Sequence, residues 1–552
     1  LNSRHICFTY KNTFSITRYH ILRRVEPMPS ERVDLARAAT YVAAANVVVA
    51  LAGVFYLAFA TRLLPTVADF GTVSILGMTV SLLQAIVPLG LPQAVIKFLP
   101  EQIGRSGFAA ARGVSIKGFR AGAVLAVICS TACFIFAPQL SSIFFGELGK
   151  ADLLRLVAVD SFALGLSTFV SAPLLGLKRF KEYSIVNALA NGGRGIAAVL
   201  FLVLGLGISG VLLAWIIFDF LGLFIMIYLT RDVISGRAPD FPLDTMAKYG
   251  APLYGSTLLT FFQSTIDKYV VFGLAGSAAL GLYTPAIAAV TYIMLIPTSI
   301  VGVTFPRICE AYGRGNLKEI THISNITSKY VGVIYVPLAL GLASVANPAI
   351  EMFAGNRYAG GAPTLAIVSA FSALICFGAI LNNVIMSINK THILFAANFL
   401  AIGAGAAVSL IMVPPLGATG ASIGRTSLLI VQFLVPLLYL CRVHLLSLNW
   451  RVFLKALAAS SVMAAAVLAM QCVIYIKYLL PFYMLIGAVI YLAMVRFLRI
   501  ADKDDTAFFI AYLPRQLRGM GAKVERFVLG SQQGRPDWTD GKADAGGKTD
   551  AA

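Results

Sequence analysis

Between residues 38 and 498 the chain is a succession of apolar runs about twenty residues long, with most of its charge in the short connections. A helix of that length crosses ~30 Å of hydrocarbon. In hydrocarbon a backbone must satisfy its own polar groups, which a helix does within one segment. The runs lie at 38–61, 70–96, 118–138, 152–176, 184–206, 208–230, 250–274, 281–305, 327–352, 362–388, 391–414, 417–441, 452–476 and 478–498. They predict an all-α polytopic membrane protein of about 14 transmembrane helices. Only 12% of residues are charged, against roughly 25% in soluble domains, so a soluble core is excluded.

The connections alternate in charge. Even-numbered ones carry clusters such as Lys97, Arg105, Arg112 and Lys117, then Lys178, Arg179 and Lys181, then Arg307, Arg314 and Lys318. Odd-numbered ones carry few basic residues, and several carry no charge. Lys and Arg accumulate on the cytoplasmic side of membrane proteins. This pattern therefore places both termini in the cytoplasm and the protein in the plasma or inner membrane. The net charge of +19 has the same origin. No basic stripe with interleaved aromatics forms a nucleic-acid module.

A repeat runs through the apolar runs. Gly176-Leu-Lys178-Arg179, Asn187 and Leu206-Gly-Ile-Ser-Gly210 correspond to Ser387-Ile-Asn-Lys390, Asn398 and Leu416-Gly-Ala-Thr-Gly420, with Lys390 following Arg179 by 211 residues. Phe70-Gly71 and Pro100 correspond more loosely to Gly281 and Pro306. The offset is an even number of helices, so the copies are parallel. Two six-helix bundles facing each other across a cleft follow, the architecture of a rocking transporter. The expected organisation is an extension at 1–37, bundles at 38–230 and 250–441 joined by a linker at 231–249, two added helices at 442–499, and a tail at 500–552. Residues 1–27 lack the apolar core of a secretory signal and read as disordered or an over-extended start. Residues 506–529 read as a basic amphipathic segment on the inner leaflet.

Charges inside the apolar runs are costly and tend toward function or pairing. Arg194, Lys268 and Arg425 are candidates to hold an anionic headgroup, since guanidinium and ammonium groups suit phosphate oxygens. Asp160, Asp219 and Asp267 are candidates to bind a coupling Na+ or H+, or to pair with those cations and join helices. Asp267 and Lys268 are adjacent, ~100° apart on a helix, so both cannot face a cleft squarely. Lys178, Arg179, Arg307 and Arg314 would stand at the cytoplasmic entrance. The seven cysteines contain no CxxC motif, and no His/Cys/carboxylate cluster has metal-ligand spacing. No cofactor is expected.

Asp267-Lys-Tyr-Val-Val with Gly281-Leu-Tyr-Thr-Pro285, Phe305-Pro306 with Gly313-Arg314-Gly315, Gly176-Leu-Lys178-Arg179 with Asn187, and Leu416-Gly417-Ala-Thr-Gly420 together resemble the polysaccharide (O-antigen-type) flippases. These belong to the multidrug/oligosaccharidyl-lipid/polysaccharide exporter superfamily. The resemblance covers roughly residues 34–500. It implies a V-shaped bundle with a cationic cavity that moves a polyisoprenyl-(pyro)phosphate-linked oligosaccharide to the outer leaflet, and no covalent catalysis. It also implies membrane lipids, Na+ or H+, and glycosyltransferases or a polymerase as partners. The alternative is an ion-coupled exporter of small organic molecules. Arg194→Ala is expected to lower translocation with little loss of folded protein.

Overall fold

The computed structural model describes residues 29–146, 148–443, 445 and 449–500. The basic amphipathic segment at 506–529 and the first 28 residues lie outside them. Among the described residues every regular element is helical. The helices are α1 (Pro29–Leu63), α2 (Val67–Ile86), α3 (Leu91–Ser106), α4 (Phe108–Ile135), α5 (Ala137–Phe145), α6 (Ala151–Gly176), α7 (Phe180–Val203), α8 (Gly207–Ile234) and α9 (Leu243–Ile293). They continue as α10 (Leu295–Gly313), α11 (Leu317–Ser344), α12 (Ala346–Phe353), α13 (Ala362–Ser387), α14 (Thr391–Leu416), α15 (Ala418–Arg442), α16 (Trp450–Val473) and α17 (Leu480–Phe497).

Thirteen of the described helical stretches are long and apolar enough to cross a membrane. One of them, α9, has 51 residues and would be roughly 77 Å long if straight, more than twice the hydrocarbon thickness. Gly276 divides it, with φ 78° and ψ −175°, a backbone conformation open to glycine and costly for side chains. Its two arms make two crossings, which restores the fourteen expected from the sequence. Gly281, where the next apolar run was expected to begin, lies within the helix.

Four crossings are broken where continuous runs were expected. Pro88 and Pro92 do not kink a helix; they occupy the turn and first positions that separate α2 from α3. Short interruptions at Phe136, Met294 and Val345 divide α4 from α5, α9 from α10 and α11 from α12. Helices on the basic side also begin earlier than their apolar cores. α4, α9 and α11 start at Phe108, Leu243 and Leu317 because their N-terminal turns carry charges such as Arg112, Asp244 and Lys318 that project beyond the apolar band.

The repeat recurs in the backbone. The starts of α4, α5, α6, α7 and α8 precede those of α11, α12, α13, α14 and α15 by 209–211 residues. Non-glycine residues with φ 59° stand at both Lys178 and Asn389. Packing repeats as well. α3 on α4, α4 on α6, α6 on α8, α7 on α8 and α1 on α7 correspond to α10 on α11, α11 on α13, α13 on α15, α14 on α15 and α9 on α14. Helix α16 lies on α11, and α17 on α16.

The apolar cores fix how the two sets meet. On the side away from the basic connections, one continuous core joins them, from Leu64, Phe70, Leu154 and Leu212 to Tyr283, Ile350, Tyr358 and Leu365. Toward the basic connections the core divides. One part holds Leu99, Phe169, Leu174 and Met226, the other Ile308, Tyr335, Phe377 and Leu440. The molecule is sealed at one end and divided at the other, where α9 still meets α3 in backbone contact at Gly90 and Gly250.

Backbone contact makes the seal. A Cβ on Gly71 would lie 1.8 Å from the Ser277 carbonyl oxygen, and one on Gly281 would lie 2.1 Å from that of Val67. Gly71 and Gly281 are repeat counterparts that meet each other, as residues on a pseudo-twofold axis do. Arg62 donates to the Met352 carbonyl, Arg357 donates to that of Pro65 at 2.6 Å, and Phe70 meets Tyr358 edge to face.

Candidate functional site

The split end opens a cleft of about 610 Å3 between α2, α3 and the first arm of α9. Its wall on α9 is a stripe of hydroxyls, Ser256, Thr257, Thr260 and Ser264. Three of these stand at i, i+4 and i+8, one face of a helix. Opposite are Ser81, Gln84 and Gln93. None of the residues lining this cleft is charged. The two sides are bridged by Tyr269, whose hydroxyl donates to the Met78 carbonyl at 3.1 Å.

Ser81 and Gln84 also line a second cavity of about 250 Å3 inside the first bundle. Asn187, Asn191, Arg194 and Asp219 line it too, with Ser167, Thr168 and Tyr183. Arg194 pairs with Asp219 at 3.2 Å and its guanidinium lies 4.9 Å from the centre of the Trp215 ring. Salt bridge and cation–π contact together hold the guanidinium against α8. Asp160, on α6, is fully buried and interacts electrostatically with both Asp219 and Arg194.

In the second bundle Arg425 pairs with Asp267 at 3.4 Å and donates to the Gln263 carbonyl at 3.0 Å. The Tyr283 hydroxyl donates to the same Asp267 oxygen, fixing the α9 arms across the Gly276 break. Asp267 is buried while Lys268 is half-buried, as their ~100° separation requires. Lys268 makes no ion pair among the described residues.

The three candidate cations therefore do not converge. Arg194 faces the first-bundle cavity, Arg425 is tied to Asp267, and neither Arg425 nor Lys268 lines either cavity. The cleft wall is neutral and polar where a cationic one was expected. At the basic end, Lys178 and Arg307 are exposed. Arg179 is bound to Glu182, Asp232 and the Leu229 carbonyl, and Arg314 to Glu310 and Glu319. Their groups brace the loops. Among the described residues no cluster of His, Cys, Asp and Glu could hold a metal ion.

A family model described as polysaccharide biosynthesis protein matches residues 59–363, more than half of the chain. The chain belongs to the polysaccharide biosynthesis protein family. Among solved structures, it is similar to the lipid II flippase MurJ in an inward closed conformation, with TM-score 0.68 and 15% identity over 83% of this chain and 98% of that one. It is also similar to a multidrug resistance MATE family transporter of the MOP superfamily. The inward-facing form gives TM-score 0.57 and 17% identity over 72% and 94% of the two chains. The outward-facing form gives 0.52 and 16% over 74% and 95%. At these identities the likeness establishes a shared fold. No curated protein sequence matches significantly.

This family member thus has the multi-pass fold of flippases and transporters, with a polar cleft that sequence reading did not locate. Gln84, Gln93 and the α9 hydroxyls were missed because each looks ordinary inside an apolar run. Their four-residue spacing on a helix was the available signal. Arg62 and Arg357 stood in connections that otherwise carried little charge, but their partners are nearly three hundred residues away.

Proposed function

We propose that this protein moves a polyisoprenyl-(pyro)phosphate-linked oligosaccharide from the cytoplasmic to the outer leaflet of the cell membrane by alternating access. The observation that carries the reading is the cleft: set in the divided half of the molecule, sealed from the other end, and walled by hydroxyls and amides. Sugar hydroxyls both donate and accept, and Ser, Thr and Gln side chains match them on both counts. The cleft's size falls within the ~300–1,000 Å3 range of ligand sites. The positive-inside rule puts its mouth in the cytoplasm. There Lys97, Lys178 and Arg307 are exposed to meet an anionic headgroup. The prenyl chain stays in lipid. Glycosyltransferases supply the cargo and a polymerase or ligase consumes it. Family membership and the fold shared with a lipid II flippase support this assignment. It requires no covalent step.

The second reading is an ion-coupled exporter of small organic molecules on the same fold. A cationic drug would need a carboxylate on the cleft wall, and that wall carries none.

The test is flipping of a fluorescent lipid-linked oligosaccharide in proteoliposomes. Wild type should flip it, and Ser256→Ala with Thr260→Val should lower the rate about tenfold or more while leaving the folded fraction unchanged. Among the described residues both hydroxyls bond only to their own helix, so their loss should not unfold the bundle. A wild-type rate equal to that of empty vesicles, or drug efflux without glycan movement, would sink the reading.

A further inference from the structure

The first-bundle cavity contains more buried carboxylate than its cation offsets. Asp160 is fully buried and Asp219 is 2% exposed. The two carboxylates interact with each other between α6 and α8. Yet both oxygens of Asp160 and one of Asp219 lack a hydrogen-bond donor. Ionised carboxylates only accept, so two of them side by side leave their facing oxygens unsatisfied. Arg194 contributes one positive charge and is committed to the second Asp219 oxygen. Two carboxylates and one guanidinium leave one net negative charge in a low-dielectric interior, where it is costly.

We propose that Asp160 and Asp219 hold one exchangeable proton between them, forming a proton-binding site that opens through Asp219 into the first-bundle cavity. A single proton turns one carboxyl into a donor, satisfies the facing oxygens and brings the cluster to neutrality. The pair then titrates as a unit. A sodium ion fits the same place less well. It would sit beside the Arg194 guanidinium, whose positive charge repels a second cation.

The neighbouring groups leave the assignment intact. Asp219 comes from α8 and Arg194 from α7. Tyr56 of α1 interacts with the guanidinium. Helix α4 brings the thiols Cys129 and Cys133, which remain neutral near pH 7. Helix α2 presents neutral residues to the cavity, and α5 carries no ionisable side chain. Lys97 of α3 is held over the Tyr249 ring.

The cavity shares Ser81 and Gln84 with the cleft, so a proton reaching the pair passes along the cargo's wall. Coupling of that proton to cargo movement rests on the flippase reading; its binding does not. Infrared difference spectroscopy of the full chain in nanodiscs, titrated with pH, measures binding directly. One protonated-carboxyl C=O band should appear, shift in deuterium oxide, and vanish in both Asp160→Asn and Asp219→Asn. In proteoliposomes an imposed proton gradient should accelerate flipping by wild type and not by Asp160→Asn. Absence of the band, its survival in both variants, or its loss on adding sodium at constant pH would overturn the site. A normal band with gradient-independent flipping would overturn coupling alone. A normal band with no flipping at all would count against the flippase reading and leave the proton site standing.

Discussion

Arg425 shows how a membrane charge serves two purposes at once. It neutralises Asp267, which is 2% exposed, while its own side chain remains 18% exposed. The two ends of the pair are therefore not equivalent. Arg425→Gln leaves an ionised carboxylate buried with the Tyr283 hydroxyl and local amides as its remaining donors. Removing one partner of a buried pair costs about 3–5 kcal/mol, and Tyr283 should hold this case to the lower end of that range. Asp267→Asn leaves a guanidinium that keeps the Gln263 carbonyl and can turn toward the split, so it should cost less. The double variant should be more stable than Arg425→Gln alone. Thermal unfolding in detergent distinguishes these; equal losses from the two single variants would show that the pair is not buried as described. Arg194 is governed by the same logic. Its removal exposes two carboxylates to each other, so Arg194→Ala should destabilise the first bundle, contrary to the sequence expectation of little folding loss. That partnership was legible only as one of several possible pairings, because sequence shows which residues are charged and not which helices touch.

At the scale of elements, fourteen crossings, their alternating loop charge and the 211-residue repeat were readable, because hydropathy and charge are local properties. The interruptions at Phe136, Met294 and Val345 were not, although Pro138, Pro297 and Pro348 follow them within three residues, because proline is also tolerated inside membrane helices. Nor was the contact between α2 and the second arm of α9, which depends on how two separately encoded bundles dock. Gly71 and Gly281 concentrate that contact. Each faces backbone, which cannot rotate away as a side chain can. Gly71→Ala should therefore push the sealed ends apart and favour the opposite opening. Labelling of a single cysteine at Thr72, in a cysteine-free background, should rise several-fold relative to the glycine parent. Unchanged labelling would show that the seal tolerates a methyl group.

Across the whole molecule the linker belongs mechanically to the first bundle. Lys117 of α4 pairs with Asp240 at 2.9 Å, and Arg112 donates to the Asp232 carbonyl at 3.0 Å. The salt bridge holds the exposed Asp240 carboxyl below its usual range, chiefly through the Lys117 hydrogen bond and charge. Because the shift is downward, the contact persists above the ordinary aspartate range and is lost only as pH falls below it. Met246 at the start of α9 is buried in the first bundle's core, whereas further along α9 packs on α14 and α15. Between those anchors lie Pro252 and Gly255. A Cβ on Gly255 would meet nothing within 4 Å, so Gly255→Ala is tolerated sterically and stiffens the helix, by roughly 1 kcal/mol in helix propensity. Combined with Pro252→Ala, it should slow cargo flipping severalfold while leaving equilibrium binding of the cargo unchanged. A loss of binding with unchanged maximal rate would contradict that role.

The stretch of α9 between its two anchors is also the hydroxyl-bearing wall of the cleft. A beam clamped at both ends must flex when its supports rotate, and under the proposed function the flexing surface is the one that would grip the load. Cargo seated on it resists or assists that flexure according to its own stiffness and length. The glycan would then be weighed mechanically as well as recognised chemically, and two sugars with identical hydrogen bonds could differ in transit time through rigidity alone.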